Sequence, residues 1–322
     1  MPGIPKIKDS VLSRIWEELK HINYQQLNKL AGRSFTIALA GTKGEVAAMR
    51  PWLEALDYPL LLRWTSAVES RPVTDAARMR RRLRTIVIGD AGDIAALADE
   101  DRAVLRQALF CMTPPRWASL LAPYAAELRV YEAGGSVELA EEILESHAEL
   151  RFALSHCFPA FRAAHARMEI RATAMQNAGW ALFTAAPNLV PNPGQVLTVP
   201  AEALSDFVVL TINEIKMMFE LVALGGRRVQ PLQVVPEFGI VLGLAKLAEV
   251  TATNLVGKAP GAGPIIKGGV AFAFTSAIGE ALFIYQLAGI QLGREFIEER
   301  AKAWLEEGKA VAKKLLKRGK EE

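Results

Sequence analysis

From residue 172 to 201 the chain carries no Asp, Glu, Lys or Arg, and from 268 to 293 Glu280 is the sole charge, flanked by Lys267 and Arg294. Stretches of this kind must be covered by protein or by lipid, because exposing apolar surface to water costs roughly 25 cal/mol per Å². At a rise of about 1.5 Å per residue, the 268–293 segment is long enough to cross a hydrocarbon core of about 30 Å. The 172–201 stretch is interrupted by Pro187, Pro191, Pro193 and Pro200, so it is not one helix. Two more apolar helices are expected at 202–224 and 236–256. Glu214, Lys216, Glu220, Lys246 and Glu249 interrupt them, and each charge at mid-bilayer costs about 2.5–3.5 kcal/mol on insertion scales. Gly239 with Gly243 and Gly289 with Gly293 have the spacing that lets helices approach closely. Full crossings, re-entrant or interfacial helices, and a dry soluble bundle are all consistent with this half.

The first half reads differently. Near-continuous apolar runs at 35–41, 59–64, 85–90, 108–112 and 128–131 have the look of buried parallel strands. Helical spacing fills the intervals at 44–56, 74–83, 93–105 and 115–126, and another helix starts near Ser136. Strand and helix in alternation predict a doubly wound α/β domain with a mainly parallel sheet, followed by an all-α apolar domain. The expected organisation is an amphipathic N-terminal segment at 1–33 with a helix over 9–31, the α/β domain at 34–150, the hydrophobic helical domain at 151–293, and a basic amphipathic helix at 294–322. With 51% apolar and 23% charged residues the chain is neither disordered nor collagen-like.

In doubly wound sheets ligands bind beyond the C-terminal strand ends, so the loops there carry the chemistry, if any. The first, Gly41-Thr42-Lys43-Gly44, lies where a phosphate-binding loop would lie, between a strand and a helix. A working loop reads G-x-x-x-x-G-K-[ST]: its second Gly lets the backbone approach phosphate, its Lys reaches the β/γ-phosphates and its hydroxyl holds Mg²⁺. Counted from Gly41, those places hold Val46, Ala47 and Ala48. A helix N-terminus still attracts anions, and Lys43 partly substitutes for the missing lysine. Gly41, Thr42, Lys43 and Gly44 are therefore a vestigial site, with GTP as the one cofactor to consider and no metal ligand. Asp90 sits where a metal-linked acid would, and is better read as an N-cap. Thr113-Pro114-Pro115-Arg116 lacks the Asn, Lys and Asp of a guanine-reading loop, and Pro115 starts a helix.

The remaining polar signals are weaker. His147, His156 and His165 are nine residues apart in turn and His21 is remote, unlike a helical metal site. Cys111 and Cys157 lie in apolar surroundings, as buried reduced thiols do. Arg78, Arg80, Arg81, Arg82 and Arg84 form a solvated helix face or a contact for acidic lipid or RNA. A net charge of +3 is too mild to imply nucleic-acid binding. The cluster Lys309, Lys313, Lys314, Lys317, Arg318 and Lys320 follows the most apolar helix and suits an anionic membrane surface. The residues after Met1 show no signal-peptide pattern, so cytosolic synthesis is expected.

Several stretches of the second half have a familiar look: Phe158-Pro159-Ala160-Phe161-Arg162, Ile170-Arg171-Ala172-Thr173-Ala174-Met175-Gln176-Asn177-Ala178, Ala186-Pro187-Asn188-Leu189-Val190-Pro191, Asp206-Phe207-Val208-Val209-Leu210-Thr211-Ile212-Asn213-Glu214 and Pro264-Ile265-Ile266-Lys267-Gly268-Gly269-Val270-Ala271. In these, roughly over 155–293, the chain resembles the bacterial family of Era-like GTPases with a C-terminal hydrophobic helical domain of unknown function, a domain also seen in YcjF-type inner-membrane proteins. The first half is similar to the family's GTPase domain in strand order only. The resemblance implies a degenerate G-domain without carrying over GTP hydrolysis or any catalytic residue. An intact strand pattern beside lost phosphate chemistry leads to the expectation of a non-catalytic adaptor or scaffold on the cytoplasmic side of the inner membrane. This adaptor would meet the membrane surface or interior through 172–293 and the basic C-terminal helix, with a protein partner or self-association besides. The alternatives are a weak GTP-binding switch and a soluble cytoplasmic scaffold.

Overall fold

The computed structural model describes residues 22–56, 76–132, 137–185, 206–230, 239–246 and 263–321, together with 13, 15, 17, 58, 60 and 63. The chain forms two compact units. One comprises Gln26–His165 with Ala223–Arg228, and the other Met1–Gln25, Ala166–Val222 and Val229–Glu322.

The first unit is α/β. Its strands β1 (Ile37–Gly41), β2 (Leu83–Val87), β3 (Cys111–Thr113) and β4 (Leu128–Val130) form a sheet of order β2-β1-β3-β4. All pairings are parallel, with Leu39 opposite Thr85 on one side and Met112 on the other. Around them run α1 (Tyr24–Ala31), α2 (Lys43–Glu54), α3 (Ala76–Arg82), α4 (Ala91–Ala95), α5 (Asp99–Gln107), α6 (Pro115–Leu121), α7 (Val137–Ser146) and α8 (Arg151–Cys157). Side chains alternate across β1. Ala38 and Ala40 pack with Ile86 and Cys111 against Ile94, Leu105, Trp117 and Leu121 from α4, α5 and α6. Ile37 and Leu39 are also fully buried, and α2 supplies buried Met49 and Leu53. Short apolar residues on β1 thus let helices close on both sides of a central strand.

Three expectations change here. Of the run 59–64, only Leu60 and Arg63 are described, and both are helical rather than extended. The run is rich in Leu and has no β-branched residue, so its intrinsic preference is helix. The helix expected over 93–105 is two, because the chain turns at 96–98 and restarts with Asp99, Glu100 and Asp101 against the positive end of α5. The helix expected over 9–31 is interrupted at Ile22 and Asn23. The possible caps Asp9 and Ser10, and also Ser136, lie outside the described residues.

In the second unit the regular structure among the described residues is helical. Helix α9 (Arg162–Ala185) begins in the first unit and runs into the second, followed by α10 (Asp206–Leu224), α11 (Gly263–Ala288) and α12 (Arg294–Glu321). Residues 239–246 are helical too. The proline-rich segment 187–200 lies outside the described residues. Helix α11 starts five residues earlier than expected, with Pro264 in its first turn, where its missing N–H costs nothing. It stops at Gly289, whose φ of 72° is open to glycine and whose N–H donates to Tyr285 O at 2.8 Å. Gly289 therefore ends a helix instead of packing one.

The close approaches use other glycines. A Cβ on Gly279 would lie 2.6 Å from Ile170, and one on Gly269 would lie 3.0 Å from the Lys309 backbone. One on Gly308 would collide with the Gly269 carbonyl, whereas at Gly239 and Gly293 it would meet nothing. Helices α11 and α12 therefore cross at Gly269 and Gly308, nearly backbone to backbone. Further along, Arg300 Nε and Nη2 reach Glu280 at 2.6 and 2.9 Å, and Trp304 Nε1 donates to the same carboxylate at 3.1 Å. The one charge inside the 268–293 stretch is thus neutralised by the helix beside it. Helix α11 has the length and apolarity of a membrane span, yet 94% of its most apolar window is buried within the protein.

Candidate functional site

The strand order reverses direction at β1, whose sequence successors β2 and β3 flank it on opposite sides. The crevice between the C-terminal ends of β1 and β3 is the position where doubly wound sheets bind ligands. Gly41 closes β1 and is buried. Thr42 is the N-cap of α2, so a single residue links strand to helix. Lys43 and Gly44 already belong to the first turn of α2, and both are exposed. Val46, Ala47 and Ala48 continue the helix. The four residues singled out from sequence are therefore contiguous at the strand end, in a connection too short to wrap around a phosphate.

What fills the crevice is Glu45. It sits three residues after Thr42, and the two form a reciprocal capping box. Glu45 Oε2 accepts from the Thr42 N–H at 2.8 Å and the Thr42 hydroxyl at 2.9 Å, while the Glu45 N–H donates back to Thr42 Oγ1 at 3.3 Å. Across the crevice, the first turn of α6, which follows β3, contributes two more donors. Trp117 Nε1 donates to Glu45 Oε2 at 2.9 Å, and Arg116 Nη2 lies 2.8 Å from Glu45 Oε1. The Arg116 guanidinium also stacks over the Trp117 ring, 4.9 Å from its centroid. Burial opposes the charge on Glu45, but the hydrogen bonds from Arg116, Trp117 and Thr42 outweigh it and hold the carboxyl down at about 2. Gly41 has to be small here, since a Cβ would lie 3.1 Å from Glu45 Oε2 and 3.5 Å from Pro114.

The end of β2 repeats the device. Asp90 caps α4, as expected, accepting from the Gly92 N–H at 2.7 Å. Asp93 reaches back to the Gly89 and Asp90 N–H groups at 2.8 and 3.0 Å. Both strand ends therefore present amide N–H groups that the chain's own carboxylates satisfy. Pro115 is the first residue of α6, again as expected.

The other candidates have structural partners. His147 stacks on Phe110 and meets Glu127 at 3.2 Å. His165 lies edge-on to Phe152 and 3.0 Å from the Ser155 hydroxyl. His156 Nδ1 is 2.8 Å from Ala223 O, and burial pulls its imidazole down to about 4. His21 lies outside the described residues. Burial pushes the Cys111 thiol up to about 12, so it is an inert core residue. Among the described residues no group of His, Cys, Asp and Glu is arranged to hold a metal.

The basic run divides. Arg78 donates to the carbonyls of His156 and Gly226, and Arg82 to Phe35 O while covering the Phe35 ring. With Arg162, which donates to Ser155 O at 3.0 Å, Arg78 satisfies carbonyls at the C-terminal end of α8. Arg80, Arg81 and Arg84 are exposed.

Sequence reasoning missed Glu45, Arg116 and Trp117 as a unit. The Thr42-x-x-Glu45 half was visible as a capping signature. No protein-family profile, curated protein or solved structure matches the chain.

Proposed function

We propose that the protein is a non-enzymatic adaptor, built on a degenerate GTPase-like α/β unit and held at an anionic membrane surface by its basic C-terminal helix. The observation that carries the first half of this reading is Glu45. A carboxylate of the chain itself takes the donors that a bound phosphate would need, and a single residue separates β1 from α2. The parallel order β2-β1-β3-β4, reversing at β1, supports descent from a phosphate-loop fold. The likeness to the Era-like family rests on the residues quoted above.

For the second half, the exposed side chains of α12 include Lys302, Lys313, Lys314, Lys317 and Arg318. Near an anionic surface each adds about 1 kcal/mol of attraction. The enclosure of α11 favours contact at the surface over a crossing.

Equilibrium dialysis of the full-length protein against GTP and ATP with Mg²⁺ tests the reading. Absence of binding is expected, and micromolar binding with turnover overturns the non-enzymatic part. Vesicle co-sedimentation tests the other part. Binding to vesicles containing phosphatidylglycerol is expected, with at least a tenfold loss in a Lys313→Glu, Lys314→Glu, Lys317→Glu variant. Equal binding of both proteins overturns it.

A further inference from the structure

The second unit contains a buried carboxyl group that the adaptor reading does not use. Glu214 lies on α10 and is 3% exposed. Its Oε1 accepts a hydrogen bond from the Thr275 hydroxyl of α11 at 3.0 Å. Thr275 Oγ1 in turn accepts from Asn177 Nδ2 of α9 at 2.8 Å, and Asn177 Oδ1 accepts from Asn213 Nδ2 of α10 at 2.8 Å. Four side chains on three helices thus form one directed chain in which each donor points toward Glu214. All four are buried. Glu214 Oε2 has no hydrogen-bond partner, and neither do Asn213 Oδ1 and Thr211 Oγ1 beside it on α10.

Among the described residues no charge balances this carboxyl group. On the packed helices Glu280 is taken by Arg300, Lys267 donates to Thr184, Arg171 pairs with Glu307, and Glu169 acts on Glu220. Lys216, on the same helix, is exposed. An ionised carboxylate with one hydrogen bond in such a setting is expensive, and the usual resolution is to keep the proton. Burial does push the Glu214 carboxyl up, to about 8, against the pull of the Thr275 hydroxyl.

We propose that Glu214 is a proton-operated latch: as the neutral acid it stays buried at the end of the hydrogen-bonded chain joining α9, α10 and α11, and loss of its proton leaves a buried charge that drives them apart. The direction follows from linkage. A native carboxyl that keeps its proton longer than the opened form does makes opening easier as pH rises, from the ordinary Glu range up to the native value. Above that value both forms are ionised and the dependence ends.

Two measurements on the purified full-length protein test the latch. The wild-type minus Glu214→Gln infrared difference spectrum at pH 6 is expected to contain a protonated-carboxyl band, since Glu220 contributes to both proteins alike. Should that variant fail to fold, Thr275→Val removes the hydroxyl donated to Glu214 and is expected to shift the band. An absent or unmoved band overturns the assignment. The ratio of wild-type to Glu214→Gln protection in α10 and α11, corrected for intrinsic rates, is expected to fall about tenfold per pH unit between pH 5 and 8. Glu220, raised by burial and by Glu169, titrates in both proteins and cancels in this ratio. Parallel profiles overturn the proposal. So does protection that Na⁺ or K⁺ restores in wild type alone, because a cation would then be the occupant.

Discussion

Replacing Glu45 by Gln keeps the shape of the crevice and removes its charge, so it isolates what the internal anion contributes. The carboxyl is held at about 2, against 4.5 for an unperturbed Glu. That depression corresponds to a ceiling of roughly 3 kcal/mol at neutral pH. The ceiling is not reached, because Arg116 is 59% exposed and the Glu45 side chain 24% exposed, so solvent and salt screen the pair. A loss of about 1–2 kcal/mol in Glu45→Gln is expected at pH 7. The sign with pH is fixed by the depressed value. The contribution is fully present above the unfolded value near 4.5 and is lost as pH falls toward 2. By pH 3.5 the difference between variant and wild type should shrink by about 40%. The readout is hydrogen exchange on the amides of β1 and α2, since two compact units need not unfold together. A difference under about 0.3 kcal/mol at pH 7, or one that does not change with pH, refutes the idea that Glu45 serves as a resident anion. A double-mutant cycle with Arg116→Ala apportions the effect, with about 0.5–1 kcal/mol expected for the exposed ion pair.

Two further perturbations address the helical unit. Arg300→Ala strands the Glu280 carboxylate, 9% exposed, with Trp304 as its remaining donor, and is expected to cost about 3–5 kcal/mol in thermal or urea unfolding. Adding Glu280→Leu should return most of that loss, and a double variant as unstable as the single one contradicts the stranded-charge account. Gly308→Ala drives a methyl group into the Gly269 carbonyl and should lower stability by about 2 kcal/mol or more, whereas Gly239→Ala, whose Cβ meets nothing, should stay within about 0.5 kcal/mol. Equal effects at the two glycines would show that α11 and α12 do not cross at Gly269 and Gly308.

The strands that could be read from sequence are those whose apolar runs include β-branched residues or are flanked by helices with clear caps. Ile37 to Gly41 is such a strand, and so is the segment around Ile86 and Val87. The run at 59–64 resembled them in hydropathy alone, and Leu60 and Arg63 are helical. The site was half legible for a similar reason. Thr42 and Glu45 are three residues apart, so their capping box is a local pattern. Trp117 reaches Glu45 across 72 positions and Arg116 across 71, and only the pairing of β1 with β3 brings them together. Arg78 shows the same limit. In sequence it is one of five arginines in a row of surface-like charge, but in the fold it satisfies the carbonyls of His156 and Gly226, far along the chain.

The charge-poor stretch that dominates the second half is resolved by how completely α11 is enclosed. Every residue from Gly268 through Ile284 is buried. A helix turns once in 3.6 residues, so so long a continuous buried run requires cover on all sides and not along one stripe. The cover differs around the circumference. Gly279 and Thr275 meet Ile170 and Asn177 of α9 and Met217 and Glu214 of α10, whereas Gly269 and Glu280 meet Lys309 and Arg300 of α12. Each polar group on α11 named here has a protein partner. A helix facing lipid on one side would need cover by protein only on the side facing other helices. The apolar composition is therefore accounted for by a helix at the centre of a bundle.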